Sequence, residues 1–125
     1  MTNFVKVKCS ELSPTLLNWT VGTFIEHKKL VPNWKNKLQD LYFLVDGSGS
    51  SEEYSPVTNF SQIENIIHKY RVSLNDIGES WVASLTSSKN REVISSSDKN
   101  PLVAICKVVV KYELESTVEI PEILF

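Results

Sequence analysis

The amino-acid sequence predicts an α+β domain, with a small antiparallel or mixed sheet of about three or four strands and three helices in one unit spanning residues 1–125. Two observations lead to this prediction. The chain has 125 residues, the size of one globular domain, and 42% of them are hydrophobic, which is enough for one core. Helical and β-prone segments also follow one another in the order α–β–α–β–β–(β)–α, which is typical of a layered domain with helices on both faces of its sheet.

The first helix is predicted from Pro14 to about His27. Ser13 is a suitable N-cap, and proline fits the first helical position because the N–H of that residue has no intrahelical partner. Apolar residues then recur on one face, at Leu17, Val21 and Phe24. Gly22 and its β-branched neighbours weaken the helix propensity, so this helix depends on tertiary packing.

Residues 27–40 are predicted to form a surface loop, because they follow neither helical nor strand periodicity. The loop carries a basic cluster around a tryptophan, made of Lys28, Lys29, Trp34, Lys35 and Lys37. This composition is typical of nucleic-acid contacts, but lysines in loops are usually solvated and acidic residues lie nearby in the sequence. We therefore favour a solvated face, and nucleic acid is not the expected partner.

A strand and the second helix follow this loop. Residues 41–45 form a continuous apolar run before the turn residues 46–50, and they are predicted as the central strand. Helix 2 is predicted over residues 60–70, because apolar side chains recur at spacings of three and four residues, at Phe60, Ile63, Ile67 and Tyr70. Thr58 or Asn59 can cap it, and Asn59 stands three residues before Gln62, in a near-relative of the capping box.

The next segments are predicted to form a β-meander. Residues 71–74 and 81–85 are β-prone and flank turn residues, which predicts a hairpin. Residues 91–95 are short but extend the meander in this prediction, and a serine-rich loop follows at residues 95–99.

The third helix is predicted from Asn100-Pro101 to about Leu114, with the same opening of a cap followed by proline. Its apolar face consists of Leu102, Ile105, Cys106, Val109 and Tyr112. Three successive valines at 108–110 would equally suit a strand, but the cap and the period both favour a helix. The tail, residues 117–125, ends in apolar residues and is expected to dock on the core as a short extension.

Charge and cysteine content exclude several classes of protein. The chain has 13 Lys and Arg against 15 Asp and Glu, so its whole surface is not built to hold nucleic acid. Cys9 and Cys106 lie far apart without a CxxC motif, and we interpret both as reduced structural thiols. The sequence has no secretory signal and no run of ~20 apolar residues, so we expect a soluble, intracellular protein.

The strongest candidate binding features are the starts of helices 2 and 3, where unpaired N–H groups and a partial positive charge favour phosphate or carboxylate. Nearby aromatic rings could stack on a base. The candidate ligand-binding residues are Trp19, Tyr54, Ser55, Thr58, Asn59, Lys99 and Asn100. In the alternative interpretation, the polar residues only cap their helices and the aromatic residues belong to the core.

The sequence offers little for catalysis. His27 and His68 are its two histidines, and neither stands beside a serine or cysteine in a nucleophile motif. The histidines and cysteines also lack the spacing of metal ligands. We therefore predict no catalytic residue, no metal site and no cofactor.

Four blocks of sequence resemble a known family. They are KVKCSELSPTLLNWTV near the start, YSPVTNFSQ at residues 54–62, NPLVAICK at 100–107 and VEIPEIL at 118–124. Together they resemble the P22 NinX-like phage proteins, which are related to the phage ABA-sandwich domain. The resemblance implies a phage or prophage origin, an α/β/α sandwich and action in the cytoplasm of the host bacterium.

Individual residues carry this resemblance, and two of them depart from it. Trp19, Tyr54 and Ser55 match the family's pattern. Asn59 and Phe60 stand where the family usually has aspartate and tryptophan, which removes a carboxylate from the start of helix 2. This departure argues against a general base or a metal ligand at that position.

These observations predict a phage accessory protein that binds a host protein or a small signalling nucleotide without catalysing a reaction, in an anti-defence role. The alternative is a small enzyme that acts on a nucleotide or phosphoester. No membrane partner is expected. The apolar C-terminus and the β-prone edges favour a homo-oligomer.

Overall fold

The computed structural model describes residues 3–27, 30–32, 42–45, 51–114 and 117–121, with side chains described at 3–14, 16–27, 55–114 and 117–120. The strands are β1 Phe4–Lys8, β2 Leu30–Pro32, β3 Tyr42–Val45, β4 Ser51–Tyr54, β5 Ser73–Asp76, β6 Trp81–Thr86, β7 Val93–Asp98 and β8 Thr117–Pro121. The helices are α1 Pro14–Thr20, α2 Phe60–Tyr70 and α3 Pro101–Leu114, and a 3₁₀ turn, Cys9–Glu11, precedes α1.

The strands form three small antiparallel sheets. β1 pairs with β8, with Val7 opposite Val118. β3 lies between β2 and β4, and β6 lies between β5 and β7. In the last of these sheets, Leu85 of β6 lies opposite Ile94 of β7, and Ala83 lies opposite Ser96.

Helix α3 is the centre of the core. Val103, Ala104, Ile105, Cys106 and the valines at 108–110 are all buried. The helix contacts β6 and β7, and it also contacts α1, α2 and the 3₁₀ turn. The prediction of a helix over these β-branched residues is confirmed, because burial on nearly every side outweighs their weak helix propensity.

Helix α1 starts as predicted and changes its winding after Thr20. Ser13 Oγ accepts a hydrogen bond from the Leu16 N–H at 3.3 Å, and Pro14 occupies the first helical position. The chain continues as a π-helical turn over Val21–Ile25, in which the Glu26 N–H donates to the Val21 carbonyl at 2.9 Å. A run of Gly22 and β-branched residues holds the regular α-helical geometry weakly, which is consistent with this wider turn.

Helix α2 has the predicted bounds, and one of the two predicted residues caps it. Asn59 Oδ1 accepts from the Ser61 N–H at 3.1 Å, so Asn59 is the N-cap. The predicted capping-box partner, Gln62, accepts a hydrogen bond from the Ser55 N–H at 2.7 Å. The side chain of Gln62 therefore fastens the turn that precedes the helix.

The α+β class, the three helices and a three-stranded antiparallel sheet are confirmed. The hairpin and its third strand are also present, but β5 covers Ser73–Asp76 rather than residues 71–74, and β7 covers Val93–Asp98 rather than residues 91–95. The expected loop at residues 95–99 is wrong for Ser95–Asp98, which belong to β7 and pair with β6. The expected loop at residues 27–40 is wrong for Leu30–Pro32, which pair with β3. Backbone pairing with a neighbouring strand outweighs local loop composition at both places.

Other strands were not predicted. Strand β1 is short and carries apolar residues at alternate positions only at Val5 and Val7, and β4 has almost no apolar residues. The predicted tail forms β8 over Thr117–Pro121. All five residues of the basic cluster, and the turn at 46–50, lie outside the described residues. The described contacts place α1 and α2 against α3. The α/β/α layering, with helices on both faces of one sheet, stays a prediction. None of the described helices is both long and apolar enough to cross a membrane.

Candidate functional site

The start of α2 gathers three of the predicted ligand-binding residues in one hydrogen-bonded cluster. Ser55 Oγ lies 2.7 Å from Thr58 Oγ1, and the Ser55 carbonyl accepts from the Asn59 N–H at 2.9 Å. Asn18 of α1, which the sequence did not single out, donates from Nδ2 to Ser55 Oγ at 3.1 Å. Its Oδ1 accepts from the Val57 N–H, also at 3.1 Å.

This cluster links α1 to α2. Asn18 and Ser55 are buried, and their polar atoms bond to one another or to the nearby backbone. Thr58 and Asn59 are exposed and line a depression of about 590 Å³ with Phe60 and Ser61. The polar groups of the cluster therefore have a structural role, and ligand contact by Ser55, Thr58 and Asn59 stays a prediction.

The other predicted residues lie elsewhere. Trp19 is half-buried and meets the ring of Phe24 edge-on, with centroids 5.6 Å apart. Tyr54 ends β4, and its side chain lies outside the described part. Asn100 caps α3, since its Oδ1 accepts from the Leu102 N–H at 2.9 Å, and the neighbouring Lys99 is exposed.

A larger cleft lies between β7, the end of β1 and α3, and we call it the lysine cleft. Its volume is about 650 Å³. Three lysines line it, Lys8, Lys107 and Lys111. Residues with hydroxyl groups also line it, and they are Ser10, Ser95, Ser96, Ser97 and Thr117. Its lining among the described residues includes no carboxylate, although the chain as a whole has a net charge of −2.

Two of these lysines are positioned by β7. Lys107 Nζ lies 2.9 Å from Asp98 Oδ1, and both side chains are about one-quarter exposed, at 26% and 28%. Lys111, one helical turn further along α3, donates from Nζ to the Ser95 carbonyl at 3.2 Å. Residues four apart lie on the same face of a helix, so α3 presents both ammonium groups to β7.

Asp98 is held in its charged form. Burial acts to raise the pKa of this carboxyl group, but the Asn100 N–H and the Lys107 ammonium bond to it and lower its pKa below the ordinary value. Asp98 therefore fixes Lys107 in place and offsets part of its charge. The other two lysines of the cleft are Lys8, at the end of β1, and Lys111, in α3, and both are exposed.

The lysine cleft has a thiol at its wall, but that thiol is not activated. Burial raises the pKa of Cys9 above its ordinary value, which keeps the thiol protonated and weakly nucleophilic. His27 lines a separate depression with Glu26 and Lys69. Across the described ranges, no three His, Cys, Asp or Glu residues are grouped so that they could hold a metal ion.

Sequence reasoning missed the lysine cleft for identifiable reasons. The serines of β7 were interpreted as a loop, although Ile94 and Ser96 alternate with exposed positions as in a strand. A usable signal was present in α3, where Lys107 and Lys111 are spaced four apart in an otherwise apolar helix. The contribution of Lys8 comes from the fold, because β1 and α3 are almost a hundred residues apart in the chain.

Comparisons with known proteins bear on the origin of the chain. A search of curated proteins found no match. A family model described as "Bacteriophage P22, NinX" matches residues 8–112, from the last residue of β1 almost to the end of α3. The predicted resemblance is confirmed over most of the sequence, and the chain belongs to the bacteriophage P22 NinX family.

Proposed function

We propose that this phage accessory protein binds a negatively charged partner in the lysine cleft and does not catalyse a reaction. The observation that carries the proposal is the convergence of Lys8, Lys107 and Lys111 on one cleft whose described lining has no carboxylate. A cleft of about 650 Å³ is within the usual range of ligand sites. The partner classes remain those predicted from the sequence, a host protein or a small signalling nucleotide, in an anti-defence role in the host cytoplasm.

Electrostatics support binding of an anion there. Lysines beside low-dielectric protein walls attract carboxylates or phosphates more strongly than lysines on an open surface. The hydroxyl groups of Ser96 and Thr117 add hydrogen-bond donors and acceptors that can orient a ligand. The protonated Cys9 thiol and the remote position of His27 give no support to the alternative of a nucleotide or phosphoester hydrolase.

The proposal is tested with a probe from each partner class. Adenosine triphosphate, a cyclic dinucleotide and a hexaglutamate peptide are titrated by calorimetry at low and at high salt. We expect at least one probe to bind, with an affinity that falls as salt is added because the contact is electrostatic. No heat of binding with any probe at low salt and millimolar concentration would overturn the proposal.

Lysine variants locate the binding site. Lys111→Gln removes one charge from the cleft, and Lys89→Gln removes one from an exposed turn outside it. We expect the first variant to weaken binding about tenfold, the effect of losing one charge-assisted hydrogen bond, and the second to leave it unchanged. Equal affinities in the two variants would place the site elsewhere.

Two further measurements address the predicted alternatives. Asn59→Ala removes the cap of α2 without touching the lysine cleft, so we expect unchanged affinity. A large loss of affinity in this variant would favour the predicted contact at the start of α2. Chromatography of each nucleotide after overnight incubation tests for an enzyme, and a product that appears with the wild-type chain but not with Lys111→Gln would contradict the non-enzymatic role.

A further inference from the structure

Strand β7 forms one border of the lysine cleft, and its hydrogen-bonding pattern indicates which backbone groups face the cleft. Among the described strands, β7 pairs with β6 along one edge and has no partner on the other, in the strand order β5-β6-β7. Just before β7, the Ser87 N–H donates to the Glu92 carbonyl at 2.8 Å, so the carbonyl of Glu92 points toward the strand that continues from β6. Hydrogen-bonded and non-hydrogen-bonded pairs alternate in an antiparallel ladder.

The register then assigns each residue of β7 to one edge. Ile94, Ser96 and Asp98 fall at hydrogen-bonded positions opposite Leu85, Ala83 and Trp81 of β6. Ser95 and Ser97 fall at the alternate positions, where the backbone N–H and carbonyl point away from β6. The hydrogen bond from Lys111 Nζ to the Ser95 carbonyl confirms this direction independently.

The open edge of β7 and the lysines thus share one cleft. We infer that the lysine cleft binds an extended, acidic segment of a partner protein, which adds to β7 as a further strand. Backbone groups of Ser95 and Ser97 pair with the segment, and its acidic side chains contact Lys107 and Lys111. This inference rests on the proposed function and specifies the partner class.

Spacing favours a strand over a small anion. Groups on residues i and i+2 of a strand recur about 6.8 Å apart, the same repeat as the carbonyl groups of a second strand. One phosphate group is too small to bond to the N–H groups of both Ser95 and Ser97. An extended peptide bonds to both, and addition to a sheet edge is an established mode of peptide recognition.

Charge selects the kind of strand that is added. Lysines at a sheet edge commonly discourage pairing between exposed edges, and Lys111 of α3 brings its ammonium group to the edge of β7. A second copy of this chain would bring its own Lys8, Lys107 and Lys111 to the same edge, and the like charges would repel. An acidic segment would be attracted by these lysines instead of repelled. When it binds, Lys111 gives up its hydrogen bond to the Ser95 carbonyl and pairs with a carboxylate of the segment.

The test uses a six-residue peptide that alternates glutamate with valine and has blocked ends. Its matched control is the same peptide with N-methyl groups on alternate backbone nitrogens, which keeps the charges but removes the donors for pairing. We expect the unmethylated peptide to bind about tenfold more tightly, as for the loss of two backbone hydrogen bonds. Equal affinities for the two peptides would overturn strand addition. If both peptides bind equally and Lys111→Gln weakens the binding of each, the proposed anion site still holds.

A backbone variant tests the position on β7. Ser97→Pro removes an N–H from the open edge and places a ring there, which edge strands tolerate when that N–H faces away from the ladder. We expect it to abolish binding of the unmethylated peptide, while the midpoint of urea unfolding stays close to the wild-type value and shows that the sheet still forms. Ser96→Pro is the folding control, because it removes an N–H that bonds to β6 and should unfold the sheet.

Amide hydrogen exchange in the wild-type chain gives a readout that does not depend on a variant. The N–H groups of Ser95 and Ser97 should exchange quickly in the free chain and at least tenfold more slowly with the peptide bound. The already paired Ser96 should change little. Unchanged exchange at Ser95 and Ser97 with the peptide at saturating concentration would overturn the inference.

Discussion

Asn18 and Ser55 lie 37 residues apart in the sequence, and their side chains meet in the core at 3.1 Å. Asn18 uses both ends of its amide, since Nδ2 donates to Ser55 Oγ while Oδ1 accepts from the Val57 N–H. Ser55 in turn donates its backbone N–H to Gln62. One buried amide therefore holds the turn before α2 against α1.

Replacing Asn18 should destabilise the fold strongly. Asn18→Ala leaves the buried Val57 N–H and the Ser55 hydroxyl without one partner each, and we expect a loss of about 2–3 kcal/mol in the free energy of unfolding. Urea unfolding followed by circular dichroism measures it. The matched control is Asn65→Ala on the exposed face of α2, which should change stability by less than about 0.5 kcal/mol. Similar losses in both variants would show that the Asn18 link contributes nothing specific.

Segments with strong local signals could be predicted from the sequence. The bounds of α2 and the start of α3 follow from caps, proline and apolar periodicity, all of which are properties of neighbouring residues. Strands β1 and β8 could not be recognised as a pair, because each gains its stability from the opposite end of the chain. The same holds for Ser95–Asp98, whose small polar residues indicate a loop until β6 supplies partners.

Less of the candidate site than of the fold could be predicted from the sequence. Polar residues at a helix start carry the same signal whether they cap the helix or bind a ligand, and the structure shows the capping role for Asn59 and Asn100. The lysine cleft depends on the packing of α3 against β7 and on the position of β1. Local patterns do not encode such long-range packing, so Lys8 could not be grouped with Lys107 from the sequence.

The ion pair between Asp98 and Lys107 should make stability depend on acid pH. The pKa of Asp98 is lower in the folded chain than its ordinary value of 3.8, so its stabilising effect is present above that value and is lost as the pH falls through the lower, folded pKa. Asp98→Asn should therefore lose about 1 kcal/mol at neutral pH and differ less from the wild type in acid. Urea unfolding across the acid range measures this. Glu92→Gln, which removes an exposed carboxylate, is the control. The prediction would be contradicted if the difference in free energy of unfolding between Asp98→Asn and the wild type stayed constant down to the lowest pH.

Tyr70 should govern part of the alkaline behaviour. Burial, followed by the nearby charge of Glu113, raises the pKa of Tyr70 from 10.0 to about 12. A raised pKa means that its contribution to stability is complete below pH 10.0 and is lost as the pH rises toward about 12. In an absorbance titration, Tyr70→Phe should remove the component that ionises last, and its stability should fall less over that interval. The late component would persist in Tyr70→Phe if another tyrosine were responsible.

The two cysteines should react differently with a thiol reagent, because Cys9 lines the lysine cleft and Cys106 lies in the core. Burial raises the pKa of both thiols, and the charge of Glu26 adds to the effect at Cys106, which is fully buried in α3. Cys9 is 7% exposed and lines the cleft. A thiol-specific reagent at mildly alkaline pH should therefore modify Cys9 slowly in the folded chain and Cys106 only when the chain unfolds.

Single-cysteine variants separate these two reactions. Cys106→Ala reports on Cys9 alone, and we expect the alternating glutamate–valine peptide to slow its labelling, because an occupied cleft excludes the reagent. Cys9→Ala reports on Cys106, whose labelling should follow global unfolding in urea and should not respond to the peptide. Rapid labelling of Cys106 without denaturant would mean that α3 leaves the core at equilibrium, which its burial against β6 and β7 argues against.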